Sequence, residues 1–464
     1  MSFISRRQFL RSSFVLITSL SVLLLGSCAT GPKAPQRITK KHKGLAIFQG
    51  PTNATATRIS VLGRKAGSLS GLAFSYQAGN AEQLAPKNVI SNVSNHSDVV
   101  IHHIYIDGLT PNQTYTLHVR DAAGKPLDQR SFSALDLKPR AARIAAGSCM
   151  SDYFLEKSAD IWKSVIDAKP DLMLLLGDNS YADVVDGKYV GPAGESVLWG
   201  RYAETFEALE YFRARHLIPT LAIWDDHDFG VQDGGVDHPY KDEAKRVFLS
   251  YFPQSPASTT GADIPELQAG PGTSSRFDAF GYRFLLLDNR YFRTAKDAKP
   301  ESHFGSEQEK WIIRNLKQTH NPAWLIAGDQ WFGAYHRFES YEGTHPASFK
   351  RFMGELKKTG RTMLFMSGDR HLSEVMKIEK DILGYETYEF TSSAIHARMY
   401  PSFWERHPNK RHVMGVDLKQ NFKIFDLSAA RNPLKIEGAA IGNSSKVLYR
   451  FSFDIQGSQP ATAK

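Results

Sequence analysis

The 464-residue chain is 42% hydrophobic and 11% aromatic, enough to fill a sizeable core and longer than one typical domain. Its net charge of +9 suits anionic substrates. The excess is diffuse, with no run of five or six basic residues and no nucleic-acid-binding motif, so a polyanion groove and a nucleic-acid partner are not expected.

The N-terminus reads as a targeting segment. SRRQFL, residues 5–10, sets two arginines before an apolar stretch and is similar to a twin-arginine export signal. The run from Phe14 to Leu25 is too short for an ordinary membrane span. It ends in LLLGSC, residues 23–28, which resembles a bacterial lipobox. Residues 1–27 are thus expected to be a signal peptide, with a mature protein held at the cell envelope, or in a periplasm, by lipid on Cys28. A Cys28–Cys149 disulfide is the competing use of the only two cysteines. A polar linker, residues 28–44, follows.

Residues 45–138 are rich in Val, Ile, Thr and Tyr, and RISVLG, LAFSYQ, VVIHHIYIDG and TYTLHVRD read as strands. DGLTPNQTYTLHV (107–119) is similar to the tyrosine-corner region of a fibronectin type III or immunoglobulin-like sandwich, with Tyr115 at the corner. From residue 140 to 455 strands alternate with helices, predicted over 154–168, 199–216, 306–318 and 346–360, which makes an α/β domain. Ser306 and Glu309 have the spacing of a capping box. Residues 253–275 read as an excursion loop and 456–464 as a loose tail.

The apolar runs share one habit. RIAAG ends at Ser148–Cys149, DLMLLLG at Asp178, IPTLAIW at Asp225–Asp226–His227, YRFLLL at Asp288, AWLIAG at Asp329, TMLFMSG at Asp369–Arg370–His371 and YEF at Thr391–Ser392–Ser393. In α/β sheets ligands bind beyond the carboxyl ends of the strands, so folding gathers these groups on one rim. So many carboxylates together need cations, and metal ions supply them. Cys-x2-Cys and His-x3-His zinc spacings are absent. The donor set indicates a mixed centre: one tightly held metal near Cys149, Asp178, Tyr181 and His371, where a phenolate favours Fe(III), and hard divalent ions at the remaining carboxylates. Such a centre suits phosphoester hydrolysis by metal-activated water. Arg290, Arg293 and Arg370 stand near the rim as candidate phosphate clamps, or as structural ion pairs.

GSC (147–149), GDNSY (177–181), WDDHD (224–228), SGDRH (367–371) and TSS (391–393) resemble, in order, the motifs of the alkaline phosphatase D family, and GDNSY is also similar to the iron-binding segment of purple acid phosphatases. The resemblance implies a calcineurin-like metallophosphoesterase fold of two packed β-sheets flanked by helices, Fe(III) with Ca2+, and action on phosphomonoesters and phosphodiesters. It implies Cys149, Asp178, Tyr181, Asp369 and His371 around iron. Asp178 would be shared with calcium, and Asp225 or Asp226 would be a further ligand. His227 becomes a candidate acid or phosphate-orienting residue, or a support behind the ligands. WDDHD is followed by FGVQDGG, without the asparagine-bearing turn of many relatives, so Asp233 is a candidate replacement ligand. His396, in TSSAIHAR, is a candidate for an otherwise missing histidine. The expectation is an exported, lipid-anchored phosphatase and phosphodiesterase acting as a monomer. The alternatives are a phosphodiesterase of phospholipid or teichoic-acid-like polymer, and a non-catalytic calcium-dependent envelope binding protein.

Overall fold

A computed structural model describes residues 44–154, 160–185, 187–254, 264–429 and 433–457. The segments expected to be an export leader and a lipobox, Cys28 and most of the linker lie outside the described residues. Among the described residues, no helix is long and apolar enough to cross a membrane.

The first strands are β1 (Ile47–Thr52), β2 (Thr57–Arg64), β3 (Ala73–Ala78), β4 (Asn88–Val93), β5 (Val99–Ile106), β6 (Thr114–Arg120) and β7 (Pro126–Ser133). They form a four-stranded sheet, β1-β2-β5-β4, and a three-stranded sheet, β3-β6-β7. Alternate residues supply a shared core: Ile59, Val61 and Ile104 from one sheet, and Leu117, Val119 and Phe132 from the other. The Tyr115 hydroxyl accepts a hydrogen bond from the Thr110 amide at 2.8 Å, the tyrosine-corner contact. The outer face of the larger sheet is also covered. Phe48 packs against Phe206, Phe212 and Phe252, with ring centroids 5.7–5.9 Å apart.

Next come β8 (Ala142–Gly147), β9 (Leu172–Leu176), a hairpin of β10 (Val184–Val185) with β11 (Lys188–Tyr189), and β12 (Thr220–Ile223). They are followed by β13 (Leu267–Ala269), β14 (Ser275–Ala279), β15 (Tyr282–Leu286), β16 (Ala323–Ile326), β17 (Met363–Ser367), β18 (Ser373–Ile378), β19 (Thr387–Ser392) and β20 (His412–Val416). The last three are β21 (Phe422–Leu427), β22 (Leu434–Ile441) and β23 (Val447–Ile455). A six-stranded sheet runs β12-β9-β8-β21-β22-β23, and an eight-stranded sheet runs β13-β14-β15-β16-β17-β19-β18-β20. Strands β12, β9 and β8 are parallel, as are β15, β16, β17 and β19. Strands β21, β22 and β23 finish the smaller sheet antiparallel to β8.

The two sheets face one another. Trp324 and Phe390 of the larger both meet Phe425 of the smaller at 5.2 Å. On β9, Leu172, Leu174 and Leu176 enter this shared core, while Met173 and Leu175 turn to the layer of helices. That is why DLMLLLG is apolar without alternation: it is covered on both faces. Each such fully buried side chain contributes roughly 1.5–3 kcal/mol relative to exposure. Helices α1 (Ile161–Asp167), α2 (Glu195–Ala208) and α4 (Lys241–Tyr251) cover the smaller sheet, with a one-turn α3 (Asp226–Phe229) at the tip of β12. Helices α5 (Ser306–Lys317), α6 (Tyr341–Thr344) and α7 (Pro346–Lys358) add Ile312, Tyr341 and Phe352 to the core of the larger.

Several expectations need correction. The helix over 199–216 starts at Glu195 and ends at Ala208, giving way to a 3-10 turn. That over 154–168 is helical from Ile161, and residues 155–159 lie outside the described set. Ser306 is not a cap: Gly305 holds that place, and Glu309 instead pairs bidentately with Arg351 at 2.7 Å. The excursion loop contains β13 and reaches β14 at Ser275; only residues 255–263 are undescribed. The strand before WDDHD, β12, lies at the edge of the smaller sheet. Its open backbone is satisfied by Gln254, whose side-chain amide accepts from the Ala222 N–H at 2.5 Å and donates to its carbonyl at 2.6 Å. A side chain thus stands in for the missing neighbour strand.

Candidate metal centre

The tips of β8, β9, β12 and β17 bring the polar residues together. Cys149 Sγ lies 3.3 Å from Asp178 Oδ2, and the Tyr181 hydroxyl lies 3.3 Å from both Asp178 Oδ2 and His371 Nε2. Donor atoms of Cys149, Asp178 and His371 all lie within 4.8 Å of one another. The same holds for Asp178, Asp226 and His227, and for Asp226, Asp233 and Glu339. Asp178 is therefore shared by the first two groups and Asp226 by the last two. A free, fully buried thiol, a phenol, an imidazole and converging carboxylates are a donor set that fits metal ions.

The backbone is strained where these groups stand. Cys149, Asp178, Asp369 and His371 have φ of 61°, 52°, 61° and 52°. Left-handed backbone is uncommon for non-glycine residues and concentrates at functional sites. The glycines just before two strand-tip aspartates make room for a third: a Cβ on Gly177 or Gly328 would come within 2.6 Å of the Asp225 side chain.

Burial and mutual repulsion set the electrostatics. Burial, joined by the carboxylates of Asp178 and Asp369, holds the Cys149 thiol well above its usual range. Burial likewise drives Asp178 up, against the pull of His227 and with the help of Asp226, Asp228 and Asp369. Asp369 is pushed up to about 7 by burial, although Arg370 beside it opposes the rise. Burial would raise Asp226 too, but His227 and Arg290 hold it below the usual carboxylate range. His371 is pushed down to about 3, first by burial and then by Arg370. In His227 the carboxylates of Asp226, Asp178 and Asp183 overcome burial and raise the imidazole well above its ordinary value. Such a crowd of acids favours any cation placed among it.

The pair left open by the sequence divides in the structure. Asp226 belongs to two of the three donor groups. Asp225 belongs to none: its Oδ1 is held by Arg290 Nε at 2.5 Å and Asn289 Nδ2 at 2.9 Å, and its Oδ2 is buried without a partner. Arg290 has no exposed side chain and also meets Glu339 at 2.6 Å, so the phosphate clamp expected of it is instead a buried ion-pair partner. Arg293 is taken up by Asp329 at 3.3 Å and Glu339 at 2.5 Å. Arg370 pairs with Asp369 Oδ2 at 2.7 Å, lies over the Phe338 ring at 5.3 Å, and lines a cleft of about 480 Å³ that also takes in Asp233 and Glu339.

Not every strand tip serves the centre. Asp288 accepts from Trp224 Nε1 at 2.8 Å and from the Thr273, Arg290 and Tyr291 amides, which makes it a scaffold residue. Asp329 is bound by Arg293, His303 and Asn289. His396 turns away to the Ser151 carbonyl at 2.9 Å and supplies no ligand.

Sequence reasoning missed three partners. Asp183 accepts from His227 Nδ1 at 2.7 Å; it was in view five residues after Asp178. Asp228 gathers Tyr202, Asn179, Ser180 and the Asp225 amide, bracing the tip of β12. Glu339 sits in a loop with no motif around it, and only the fold brings it to Asp226.

Known proteins resemble this chain in fold or in sequence. The solved structure of PhoD superposes with a TM-score of 0.63 at 14% identity, covering 89% of this chain and 90% of that one, a likeness of fold. Purple acid phosphatase 23 of Arabidopsis thaliana is 22% identical over 322 residues, covering 64% of this chain and 62% of the relative. Purple acid phosphatase 15 of the same plant is 22% identical over 300 residues, covering 60% of this chain and 50% of the relative. The chain thus spans about half to three fifths of these curated relatives. The family model for PhoD-like phosphatases matches residues 144–437, which contain every candidate donor described above. The chain belongs to the PhoD-like phosphatase family.

Proposed function

We propose that the protein is an exported, lipid-anchored, metal-dependent phosphoesterase that hydrolyses phosphate mono- and diesters. The observation that carries this reading is the place of Asp178, one carboxylate within reach both of Cys149 and His371 and of Asp226. Asp178 could thus serve cations on both sides, and such a pair would be suited to phosphoryl transfer. The facing sheets and their helices support a calcineurin-like metallophosphoesterase domain over residues 140–455, after a β-sandwich over 45–138. SRRQFL and LLLGSC support export and lipid attachment at Cys28.

In this reading Cys149, Asp178, Tyr181, Asp369 and His371 would hold iron(III), and Asp178 and Asp226, with Asp233 and Glu339, would hold calcium. Bound there, the ions would supply Lewis acidity toward a water and the phosphoryl oxygens. The chain does the rest. Asp183 keeps the proton on His227 Nδ1, so that Nε2 delivers a proton to the departing alcohol oxygen. Arg370, which lines the cleft, offers its guanidinium to the non-bridging oxygens. Arg290 never meets the ester; it holds Asp225 and Glu339 in place and opposes the rise that burial imposes on both carboxyls.

The test is the visible spectrum and metal content of the purified protein, alongside hydrolysis of nitrophenyl phosphate and its bis-ester. A tyrosinate-to-iron(III) band that vanishes in Tyr181→Phe supports the ligand set. A colourless protein rich in zinc or manganese overturns the iron assignment. A protein without metal that hydrolyses neither ester overturns the phosphoesterase reading.

A further inference from the structure

Two tyrosines that the sequence reading passed over stand beside the two histidines of the centre. Tyr189, on the β10–β11 hairpin, lies parallel to His227, with ring centroids 5.5 Å apart and planes 4° apart. Tyr400 lies parallel to His371 at 5.6 Å and 13°. Both are open to solvent, 61% and 42% exposed, whereas Tyr181, which also stacks on His227, is 5% exposed. The same hairpin region exposes Val185 and Val190. Tyr181 joins the two places: its ring stacks on His227 at 4.0 Å, and its hydroxyl lies 3.3 Å from His371 Nε2.

Large aromatic surface is usually buried, and uncovered rings around a polar site mark a place where a ligand completes the packing. Here the rings run parallel to imidazoles that border the place where a phosphoryl group would sit. An ester bound there carries its alcohol part outward, past the tyrosine faces. A flat leaving group gains offset stacking on them, and a short alkyl group does not.

We propose that Tyr189 and Tyr400 form a ring-binding subsite for the leaving group, so that the favoured esters carry a planar ring next to the phosphate, an aryl group or a nucleobase. This rests on the phosphoesterase reading of the adjacent centre. The hydroxyls are incidental to it, and the ring faces carry the selectivity.

The experiment compares binding of phenylphosphonate and methylphosphonate to the full-length protein by calorimetry. Neither carbon–phosphorus bond is hydrolysed, so affinity is read apart from turnover. Phenylphosphonate is expected to bind about tenfold more tightly, within the range for stacking on an aromatic side chain. Tyr189→Ala and Tyr400→Ala should each bring that ratio toward one, and the Phe variants should keep it. The ratio is insensitive to damage that weakens both ligands alike. Equal affinities in the wild type, or a preference that survives both alanine variants, overturns the subsite. If nitrophenyl phosphate is still turned over in that case, the phosphoesterase reading stands and only the subsite falls. If neither phosphonate binds and nitrophenyl phosphate is not hydrolysed, both fall together.

Discussion

The Arg290 guanidinium and the Asp225 carboxylate meet with neither side chain exposed, and the same guanidinium reaches Glu339 at 2.6 Å. The arginine follows the tip of β15 and the aspartate the tip of β12, so this contact ties the two facing sheets together beneath the centre. Removing a partner from a buried pair leaves an uncompensated charge, at a cost of roughly 3–5 kcal/mol. Arg290→Met should therefore lower the unfolding free energy, read from urea titrations, by an amount of that order. Arg290→Lys should recover part of it, because a point charge cannot reproduce the two-sided fork. An Arg290→Met protein of wild-type stability with only a raised KM would return this residue to the role of phosphate clamp.

Asp225 and Asp226 are neighbours with different work. Asp226→Asn and Asp178→Asn should strip bound metal and reduce turnover to background, because each removes a carboxylate from two donor groups. Asp225→Asn should keep most of the metal and lose activity about 10–100-fold, as expected for a residue that acts through the placement of others. Elemental analysis of the three variants decides it. Metal loss in Asp225→Asn with retention in Asp226→Asn would reverse the assignment.

The 2.7 Å contact from Asp183 to His227 Nδ1 fixes which nitrogen faces the ester. Asp183→Asn should lower kcat by roughly 10²–10⁴, the usual worth of a positioned general acid. The loss should be greater for an alkyl phosphate than for nitrophenyl phosphate, because a poor leaving group needs the proton more. Equal losses on both esters would mean that Asp183 only holds the fold.

The sequence was legible where burial was two-sided. DLMLLLG and TMLFMSG have no polar interruption because both faces of β9 and β17 are covered, and their tips stand out as the first charged residues. The donor groups at those tips could be read for the same reason. What could not be read was pairing across long separations. Nothing near residue 339 announces that Glu339 meets Arg290 from 49 positions away, or that Gln254 completes the edge of β12. For the same reason Arg290 looked like a clamp. An arginine beside a strand tip has one appearance whether its carboxylate is absent or arrives from another strand. Glu309 misled differently, because the capping-box spacing was met while Arg351 of α7 was the stronger partner.

The β-sandwich is fastened to the α/β part through a buried histidine. His103, on β5, is 2% exposed; its Nδ1 lies 2.8 Å from the Ser60 hydroxyl and its Nε2 lies 2.9 Å from the Ser250 carbonyl, at the end of α4. Burial pushes it down to about 4, with Arg58 and His102 adding to the effect and the Ser250 carbonyl opposing it. The unfolded chain then binds a proton near the ordinary value of 6.5, which the folded chain refuses until about 4. The stability tied to this residue is full above the unfolded value and is lost as the pH falls toward the folded one. At about pH 5 the loss from His103 alone is about 2 kcal/mol. Buried His303 and His396, each also pushed down to about 4 chiefly by burial, act in the same direction, so the wild-type urea midpoint should drop steeply between neutral and mildly acidic pH. His103→Gln keeps a side chain that can hydrogen-bond to Ser60 and Ser250 but has no proton to gain. Its midpoint should fall less over the same interval, by about the His103 share, and parallel curves for the two proteins would show that acid acts on the fold elsewhere.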